Sequence, residues 1–162
     1  MRTITIAAAL AVGIATPALA VDAKYRVEDK GISAEKVWVT IGDFCGIATW
    51  HPAVETCELG EKDGAKIRTL TLKDGGGTIV EELVEWDDAK HSYTYKILEP
   101  GPLPVADYTA TLSTKEDDDG GAGIKWVGTF AAKGVSDEEA KAAIEGVYKA
   151  GIDAILAKVQ GM

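Results

Sequence analysis

The chain has 162 residues, of which 46% are hydrophobic, 7% aromatic and 27% charged, the composition of an ordinary globular protein with room for one domain. Its formal net charge is −9, from 17 basic and 26 acidic residues. The acidic surplus is spread along the chain, so we expect no surface that binds nucleic acid or anionic membranes. The two histidines and two cysteines stand at spacings that match no zinc pattern, and the sequence predicts no metal site and no cofactor.

Residues 1–20 differ from the rest of the chain and are typical of a secretory signal peptide. Arg2 supplies a positive start, an uncharged apolar run follows, and Ala18-Leu19-Ala20 ends the segment with small residues of the kind that a signal peptidase recognises. A transmembrane anchor would need about 20 apolar residues, roughly twice the length of this run. We therefore expect one mature domain, residues 21–162, in the periplasm or outside the cell and without a membrane span.

Cys45 and Cys57 are the only cysteines in the chain. Thiols tend to pair in an oxidising compartment, so a disulfide between these two is plausible if their Cα atoms lie within about 7 Å of each other. Two buried free thiols are the alternative interpretation. The spacing excludes a redox-active Cys-x-x-Cys pair.

The first part of the mature chain predicts one strand and two short helices. Residues 23–30 alternate loosely, as a strand does, and Ser33 can cap the helix that follows. Residues 46–52 read as a second helical turn that Pro52 ends. From residue 54 to residue 132, short runs rich in Thr, Val, Ile and Tyr alternate with Gly, Asp and Pro clusters, which predicts about six strands.

The clearest hairpin joins residues 66–72 to residues 78–86 across an Asp-Gly-Gly-Gly turn. A two-residue turn at the glycines would place three pairs opposite each other: Leu72 with Ile79, Leu70 with Glu81, and Arg68 with Leu83. Arg68 and Glu81 would then be diagonal neighbours on the inward face. Alternation would put Val80, Val84 and Trp86 on the outward face, and a slip of one residue would turn Glu82 inward in place of Glu81.

Later segments give simpler signals. The alternation around Tyr93 and Tyr95, and again around Tyr108, predicts two strands with one apolar face each. Between them, residues 99–104 contain three prolines and must form a loop. Residues 116–119 are acidic and predict a solvated hairpin tip, since a calcium loop would need ligands at alternating positions and a distal Glu. The capping box at residues 136–139 opens a long helix with a broad apolar face.

This order of elements predicts an α+β fold in which a curved antiparallel sheet wraps around the last helix. Small residues stand among Trp and Tyr on the inward faces, at Ala110, Gly128, Ala140, Ala143 and Gly151. A mixture of this kind lines a hollow more easily than it fills one. About 140 mature residues form a core large enough to hold a pocket of a few hundred Å³.

Several motifs together resemble one known family. They are Val37-Trp38, Ile41-Gly42-Asp43-Phe44, Trp50-His51-Pro52, Glu81-x-Leu83, His91-Ser92-Tyr93-Thr94-Tyr95, Leu103-Pro104-Val105-x-x-Tyr108 and Trp126-x-Gly128-x-Phe130. They resemble the SRPBCC superfamily, and more narrowly its polyketide cyclase/dehydrase and exported MxaD-type members. The resemblance implies the START-like helix-grip fold, with about seven strands around a long C-terminal helix, two short helices after strand 1, and a hydrophobic cavity between sheet and helix.

The residues predicted to contact a ligand in this cavity share an inward face or a place near its mouth: Trp50, His51, Arg68, Leu70, Glu81, Leu83, Tyr93, Tyr95, Leu103, Tyr108, Trp126, Phe130 and Tyr148. Arg68 and Glu81 would form either a structural ion pair or a pair that orients a ligand. Tyr95 and Tyr108 would either pack with satisfied hydroxyls or donate to a ligand carbonyl. His51 has no carboxylate partner in the sequence, and Glu81 is the one candidate for a catalytic group.

Three functions are compatible with these residues. The first is an exported protein that holds a small hydrophobic or amphipathic molecule, such as a lipid, quinone or aromatic, without catalysis. The second is an enzyme of the polyketide cyclase or dehydratase type, in which Arg68, Glu81 and Tyr95 orient carbonyls and move protons. The third, implied by the MxaD-type resemblance, is a periplasmic accessory protein that contacts a dehydrogenase, as in methanol oxidation, or its cytochrome.

Overall fold

The computed structural model describes residues 20–118 and 120–162. The predicted signal peptide, apart from Ala20, lies outside the described residues. In chain order the elements are β1 (Val21–Asp29), α1 (Ala34–Ile41), α2 (Ile47–Trp50), β2 (Val54–Lys62), β3 (Ala65–Leu72), β4 (Thr78–Asp87), β5 (Ser92–Glu99), β6 (Val105–Glu116), β7 (Ala122–Ala132) and α3 (Asp137–Gln160).

The seven strands form one antiparallel sheet in the order β1-β7-β6-β5-β4-β3-β2. The long helix α3 packs across the sheet, with its most extensive contacts to β1 and β7, and it also touches both short helices. This arrangement is the helix-grip fold that the sequence predicted. Among the described residues, no helix has the length and apolarity needed to cross a bilayer.

Local capping explains where the two longer helices begin. The Ser33 side chain accepts a hydrogen bond from the Lys36 amide, and α1 starts at Ala34, the residue after Ser33. At α3, Ser136 and Glu139 bond to each other's backbone amides, which is the predicted capping box. Each cap satisfies amide groups that have no partner inside the helix, and this sets the first turn.

Irregular pairing bends the sheet, as β-bulges do. The ladder between β4 and β5 shifts between Val80 and Glu81 and again between Leu83 and Glu85, and the ladder between β6 and β7 shifts after Ala106. The second shift corrects one sequence prediction, because it turns Trp86 to the face of its partner Tyr93, on which it stacks with ring centroids 5.1 Å apart. Alternation alone had placed Trp86 outward.

The register of β3 and β4 also differs from the prediction. Arg68 lies directly opposite Glu81, and Leu70 lies opposite Ile79, a shift of two residues from the predicted pairing. The cause is a longer connection: a 3₁₀ turn at Lys73–Gly75 and two further glycines replace the expected two-residue turn. A shift of two residues in the pairing leaves every side chain on the same face of the sheet. Glu81, and not Glu82, therefore points inward, which decides between the two alternatives that the sequence left open.

Arg68 and Glu81 form an ion pair inside the protein. Arg68 is 0% exposed and Glu81 4% exposed, and the Arg68 Nε atom donates to Glu81 Oε2 at 2.5 Å. Arg68 Nη1 donates to the carbonyl oxygen of Phe44, in the segment between α1 and α2. The pair thus joins two neighbouring strands to the helical segment above them.

Cys45 and Cys57 are joined by a disulfide, with Cα atoms 5.5 Å apart. Cys45 lies between α1 and α2, and Cys57 lies in the edge strand β2. The bond therefore attaches the helical segment to the edge of the sheet.

We expect Glu81→Leu to lower the free energy of unfolding by about 3 kcal/mol, because Arg68 would remain as a buried cation without a counter-ion. The double variant Arg68→Met/Glu81→Leu, which carries neither charge, should be clearly more stable than the single variant. Urea unfolding measures both effects. Glu82→Leu is the matched control, since Glu82 faces outward and pairs with Lys96 at the surface. Equal losses at positions 81 and 82 would contradict a buried pair.

We expect the double variant Cys45→Ala/Cys57→Ala to lose about 3 kcal/mol of stability, because the bond closes a short loop and restricts the unfolded chain. The measurement is the urea midpoint under oxidising conditions. Wild-type protein with the bond reduced should unfold at nearly the same midpoint as the variant. An unchanged midpoint in both samples would show that the bond does not constrain the unfolded chain.

Candidate functional site

A cavity of about 170 Å³ lies between the inward face of the sheet and the helices α2 and α3. Its wall combines side chains from strands β2 to β7, the α2–β2 turn, the β5–β6 loop and both helices. The lining residues are Ile47, His51, Ala53, Val54, Leu70, Leu72, Ile79, Glu81, Tyr95, Ile97, Leu103, Tyr108, Trp126, Ile144 and Val147. Most of this wall is aliphatic or aromatic, as is typical of sites for small organic molecules.

Burial divides the wall into an interior and a rim. His51, Leu70, Glu81, Tyr95 and Trp126 are buried. The partly or fully exposed lining residues are Ala53, Leu72, Ile97, Leu103 and Val147. They come from the α2–β2 turn, the end of β3, β5, the β5–β6 loop and α3, and together they surround the entrance. The predicted loop at residues 99–104 is therefore part of the cavity rim.

Of the described residues that line the cavity, Glu81 alone carries a carboxyl group. Burial raises the pKa of Glu81 above that of an ordinary glutamate, and the charge of Arg68 offsets this only in part. For Arg68, burial by itself would lower the pKa, but Glu81 raises it above the ordinary value for arginine, so the guanidinium stays charged. Of the two charged groups in the ion pair, the Glu81 carboxyl is the one that lines the cavity.

Arg68 itself does not line the cavity. Its guanidinium carbon lies over three aromatic rings, 4.2 Å from the Phe44 centroid, 5.2 Å from that of Tyr95 and 5.8 Å from that of Tyr93. Cation–π attraction of this kind is stronger in a desolvated place than at a surface. Arg68 Nη2 has no hydrogen-bond partner among the described residues. Arg68 is therefore placed to support Glu81 from behind the wall.

Tyr95, Tyr108, Tyr148 and Trp126 form a buried hydrogen-bonded chain, here called the hydroxyl network. Trp126 Nε1 donates to the Tyr95 hydroxyl at 3.1 Å. The hydroxyls of Tyr95 and Tyr108 are 3.1 Å apart, and those of Tyr108 and Tyr148 are 2.6 Å apart. Gly128 makes room for the chain, because a Cβ atom there would overlap the Tyr148 hydroxyl. The network joins β5, β6, β7 and α3.

Burial raises the pKa of all three tyrosines in the hydroxyl network, and that of Tyr95 and Tyr108 lies well above the ordinary value. Each hydroxyl therefore keeps its proton at neutral pH and can both donate and accept a hydrogen bond. The hydroxyl network therefore provides uncharged hydrogen-bond donors in the protein interior.

His51 lies in the cavity wall with both ring nitrogens engaged by backbone. Burial lowers its pKa, so the ring is neutral near pH 7. The Ala53 amide donates to Nδ1 at 3.2 Å, which leaves the proton on Nε2 to be donated to the Val147 carbonyl oxygen at 3.2 Å. Neither partner is a carboxylate. His51 therefore connects the α2–β2 turn to α3 and lacks the partner that a general base needs.

The structure brings about half of the predicted ligand-contacting residues to the cavity. Those that line it are His51, Leu70, Glu81, Tyr95, Leu103, Tyr108 and Trp126. Those that do not line it are Trp50, Arg68, Leu83, Tyr93, Phe130 and Tyr148. Contact with a ligand stays a prediction for every one of them.

The predicted residues outside the wall mostly support it from behind. Tyr148 stacks on Trp126 with centroids 4.8 Å apart, and Trp50 meets the same ring edge-on at 6.0 Å. Phe130 stacks on Tyr108 at 6.0 Å. An inward strand position therefore indicates burial, but only the neighbouring elements determine whether the side chain reaches the open space. Leu83 is half-buried opposite Tyr95, and Tyr93 packs on Phe44 and Trp86.

The sequence analysis did not select several aliphatic residues that line the cavity: Ile47, Ala53, Val54, Leu72, Ile79, Ile97, Ile144 and Val147. A periodic signal for some of them is present. Leu72, Ile79 and Ile97 each stand two positions from a selected residue on the same strand, and so share its face. Within residues 20–118 and 120–162, no group of three or more His, Cys, Asp or Glu side chains is placed to hold a metal ion.

Two solved structures are similar to the chain in both sequence and fold. The protein XoxI from Bacillus cereus is 33% identical, with a TM-score of 0.76, over 86% of this chain and 95% of that one. An uncharacterized protein from Bacillus thuringiensis is 32% identical, with a TM-score of 0.70, over 85% and 96% of the two chains. No curated protein sequence matches the chain.

A third structure shares the fold at lower identity. It is the Zhui aromatase/cyclase from Streptomyces sp. R1128, which is 20% identical with a TM-score of 0.67, over 88% of this chain and 94% of that one. Residues 22–160 match the family described as polyketide cyclase / dehydrase and lipid transport, which accounts for nearly all of the predicted mature domain. As the SRPBCC resemblance predicted, the chain belongs to the polyketide cyclase/dehydrase and lipid transport family.

Proposed function

We propose that this protein holds a small hydrophobic or amphipathic molecule in the cavity beneath α3. The observation that carries the proposal is the cavity itself, about 170 Å³ of space with a mostly apolar wall and an entrance between the rim residues of β3, β5, α3 and the two adjoining loops. Burying apolar ligand surface there would contribute about 25 cal/mol per Å². Membership of a family that includes lipid transport supports the proposal.

The volume of the cavity favours a small ligand. An apolar protein cavity of about 150 Å³ is known to hold benzene, whereas drug-sized molecules occupy pockets of roughly 300–1,000 Å³. A single-ring aromatic, a quinone head group or a short chain of similar volume fits without rearrangement. A two-chain lipid or a molecule with several fused rings would need the rim to open.

We also propose that the protein works in the periplasm or outside the cell. The composition of residues 1–20 supports export, and so does the disulfide between Cys45 and Cys57, since such bonds persist in oxidising compartments. The acidic composition would suit docking to a basic partner. A dehydrogenase or cytochrome partner, and an MxaD-type role, stay predictions that follow from the resemblance.

A second candidate is an enzyme of the polyketide cyclase or dehydratase type. One observation favours it: a carboxyl group of raised pKa, Glu81, lies in the cavity wall, and active sites often contain such groups. The fold of this protein is also similar to that of an aromatase/cyclase, which is compatible with an enzymatic role. Arg68 lies behind the wall and is engaged by Glu81 and Phe44, so it is not free to orient a substrate carbonyl. We therefore rank binding first.

We expect single-ring aromatics to raise the melting temperature of the purified protein, and Val147→Phe to abolish this shift because the added ring occupies the cavity. Val39→Phe is the matched control, since Val39 is also in a helix but is 62% exposed and does not line the cavity. Differential scanning fluorimetry measures both variants. If no aromatic or lipid shifts the wild-type melting temperature, and no ligand is extracted from the purified protein, the binding proposal is wrong.

For the cyclase candidate, we expect the wild-type protein to leave a linear β-polyketone unchanged, as followed by the absorbance of an aromatic product. Turnover by the wild type that disappears in Glu81→Gln, with the circular dichroism spectrum intact, would replace binding by catalysis as the function. Glu82→Gln is the control, because it makes the same substitution at a residue on the outward face of the same strand. Turnover that survives in Glu81→Gln would exclude Glu81 as the acid or base.

A further inference from the structure

The hydroxyl network contains one more donor hydrogen than it has hydrogen bonds. Trp126 contributes one N–H, and Tyr95, Tyr108 and Tyr148 contribute one O–H each. The bonds that join them are three: Trp126 to Tyr95, Tyr95 to Tyr108, and Tyr108 to Tyr148. One hydroxyl hydrogen is therefore left without an acceptor inside the network.

The position of this surplus hydrogen depends on the direction of the two hydroxyl–hydroxyl bonds. The indole N–H can only donate, so Trp126 always donates to Tyr95. Tyr148 is 0% exposed, does not line the cavity, and bonds through its hydroxyl only to Tyr108 among the described residues. A surplus hydrogen on Tyr148 would be a buried, unsatisfied donor, which is costly.

The favourable arrangement therefore has Tyr148 donating to Tyr108. The surplus hydrogen then belongs to Tyr95 or Tyr108, and both of these line the cavity. A ligand acceptor there would satisfy the one donor hydrogen that has no acceptor within the hydroxyl network.

The other polar groups of the wall do not offer a competing donor. Both ring nitrogens of His51 are engaged by backbone, and the Trp126 N–H is engaged by Tyr95. Glu81 bonds to Arg68 through Oε2, and its carboxylate would repel an anionic ligand. The wall thus combines one available neutral donor with a negative group that disfavours carboxylates.

We propose, on the basis of the proposed binding function, that the ligand is a neutral single-ring or short-chain molecule with a carbonyl group, and that the carbonyl oxygen accepts a hydrogen bond from Tyr95 or Tyr108. A ketone, a quinone or an ester has this chemistry. A pure hydrocarbon fits the same space but leaves the surplus hydrogen unpaired.

The experiment compares acetophenone with ethylbenzene, which has nearly the same shape but no acceptor. The infrared carbonyl band of ¹³C-labelled acetophenone bound to the wild-type protein should lie near its position in an alcohol and below its position in hexane. A band at the hexane position would overturn the inference. Binding of neither compound would instead contradict the proposed function, and binding of ethylbenzene with a hexane-like ketone band would contradict the inference alone.

Variants identify the donor. In Tyr95→Phe/Tyr108→Phe, the carbonyl band should move toward its hexane position, and affinity for acetophenone should fall about fivefold relative to ethylbenzene, the equivalent of one neutral hydrogen bond. Tyr93→Phe is the matched control and should keep the wild-type band, because Tyr93 is also a buried tyrosine of β5 but neither lines the cavity nor belongs to the hydroxyl network. A band that is unchanged in the double variant would overturn the assignment. The wild-type spectrum remains a test even if the double variant does not fold.

Discussion

The close approach of α3 to an aromatic layer on the sheet is the constraint on which the rest of the structure depends. A Cβ atom at Gly151 would lie 2.8 Å from Trp126 Cζ3 and 2.8 Å from His51 Cδ2, so the helix can sit at this distance only with glycine there. Tyr148 stacks on the same Trp126 ring one turn earlier. These contacts hold α3 over β7, and they set its height above the neighbouring strands.

The cavity follows from that height. Where Trp126 and Tyr148 meet, side chains fill the gap between helix and sheet. Toward β3 and β4 the residues that line the cavity are mostly shorter aliphatic ones, such as Leu70 and Ile79, and they do not reach Ile144 and Val147 on the helix. A close-packed interior would leave few voids larger than a water molecule. The aromatic contacts at one end of the sheet therefore keep α3 away from the other end, and the cavity is the gap that remains there.

The polar groups near this hollow are arranged so that little charge reaches it. Arg68 is enclosed by aromatic rings and neutralised by Glu81, and His51 is kept neutral by burial. A buried ion pair of this kind is weak evidence for stability, since apolar residues of similar volume often do as well. Its evident effect here is to hold the Glu81 carboxylate in one orientation at the cavity wall. The tyrosine hydroxyls supply the neutral polarity that remains.

The sequence by itself determined the features that depend on local chemistry: the caps at Ser33 and Ser136, the proline-rich loop, and the family and fold that its motifs resemble. The tertiary structure decided the rest. Loop geometry shifted the β3–β4 register by two residues, and a bulge turned Trp86 inward, because pairing between strands responds to backbone conformations that side-chain alternation does not encode. Which inward residues line the cavity and which lie behind it depends on how far α3 stands from each strand, a distance set by contacts between residues far apart in the chain.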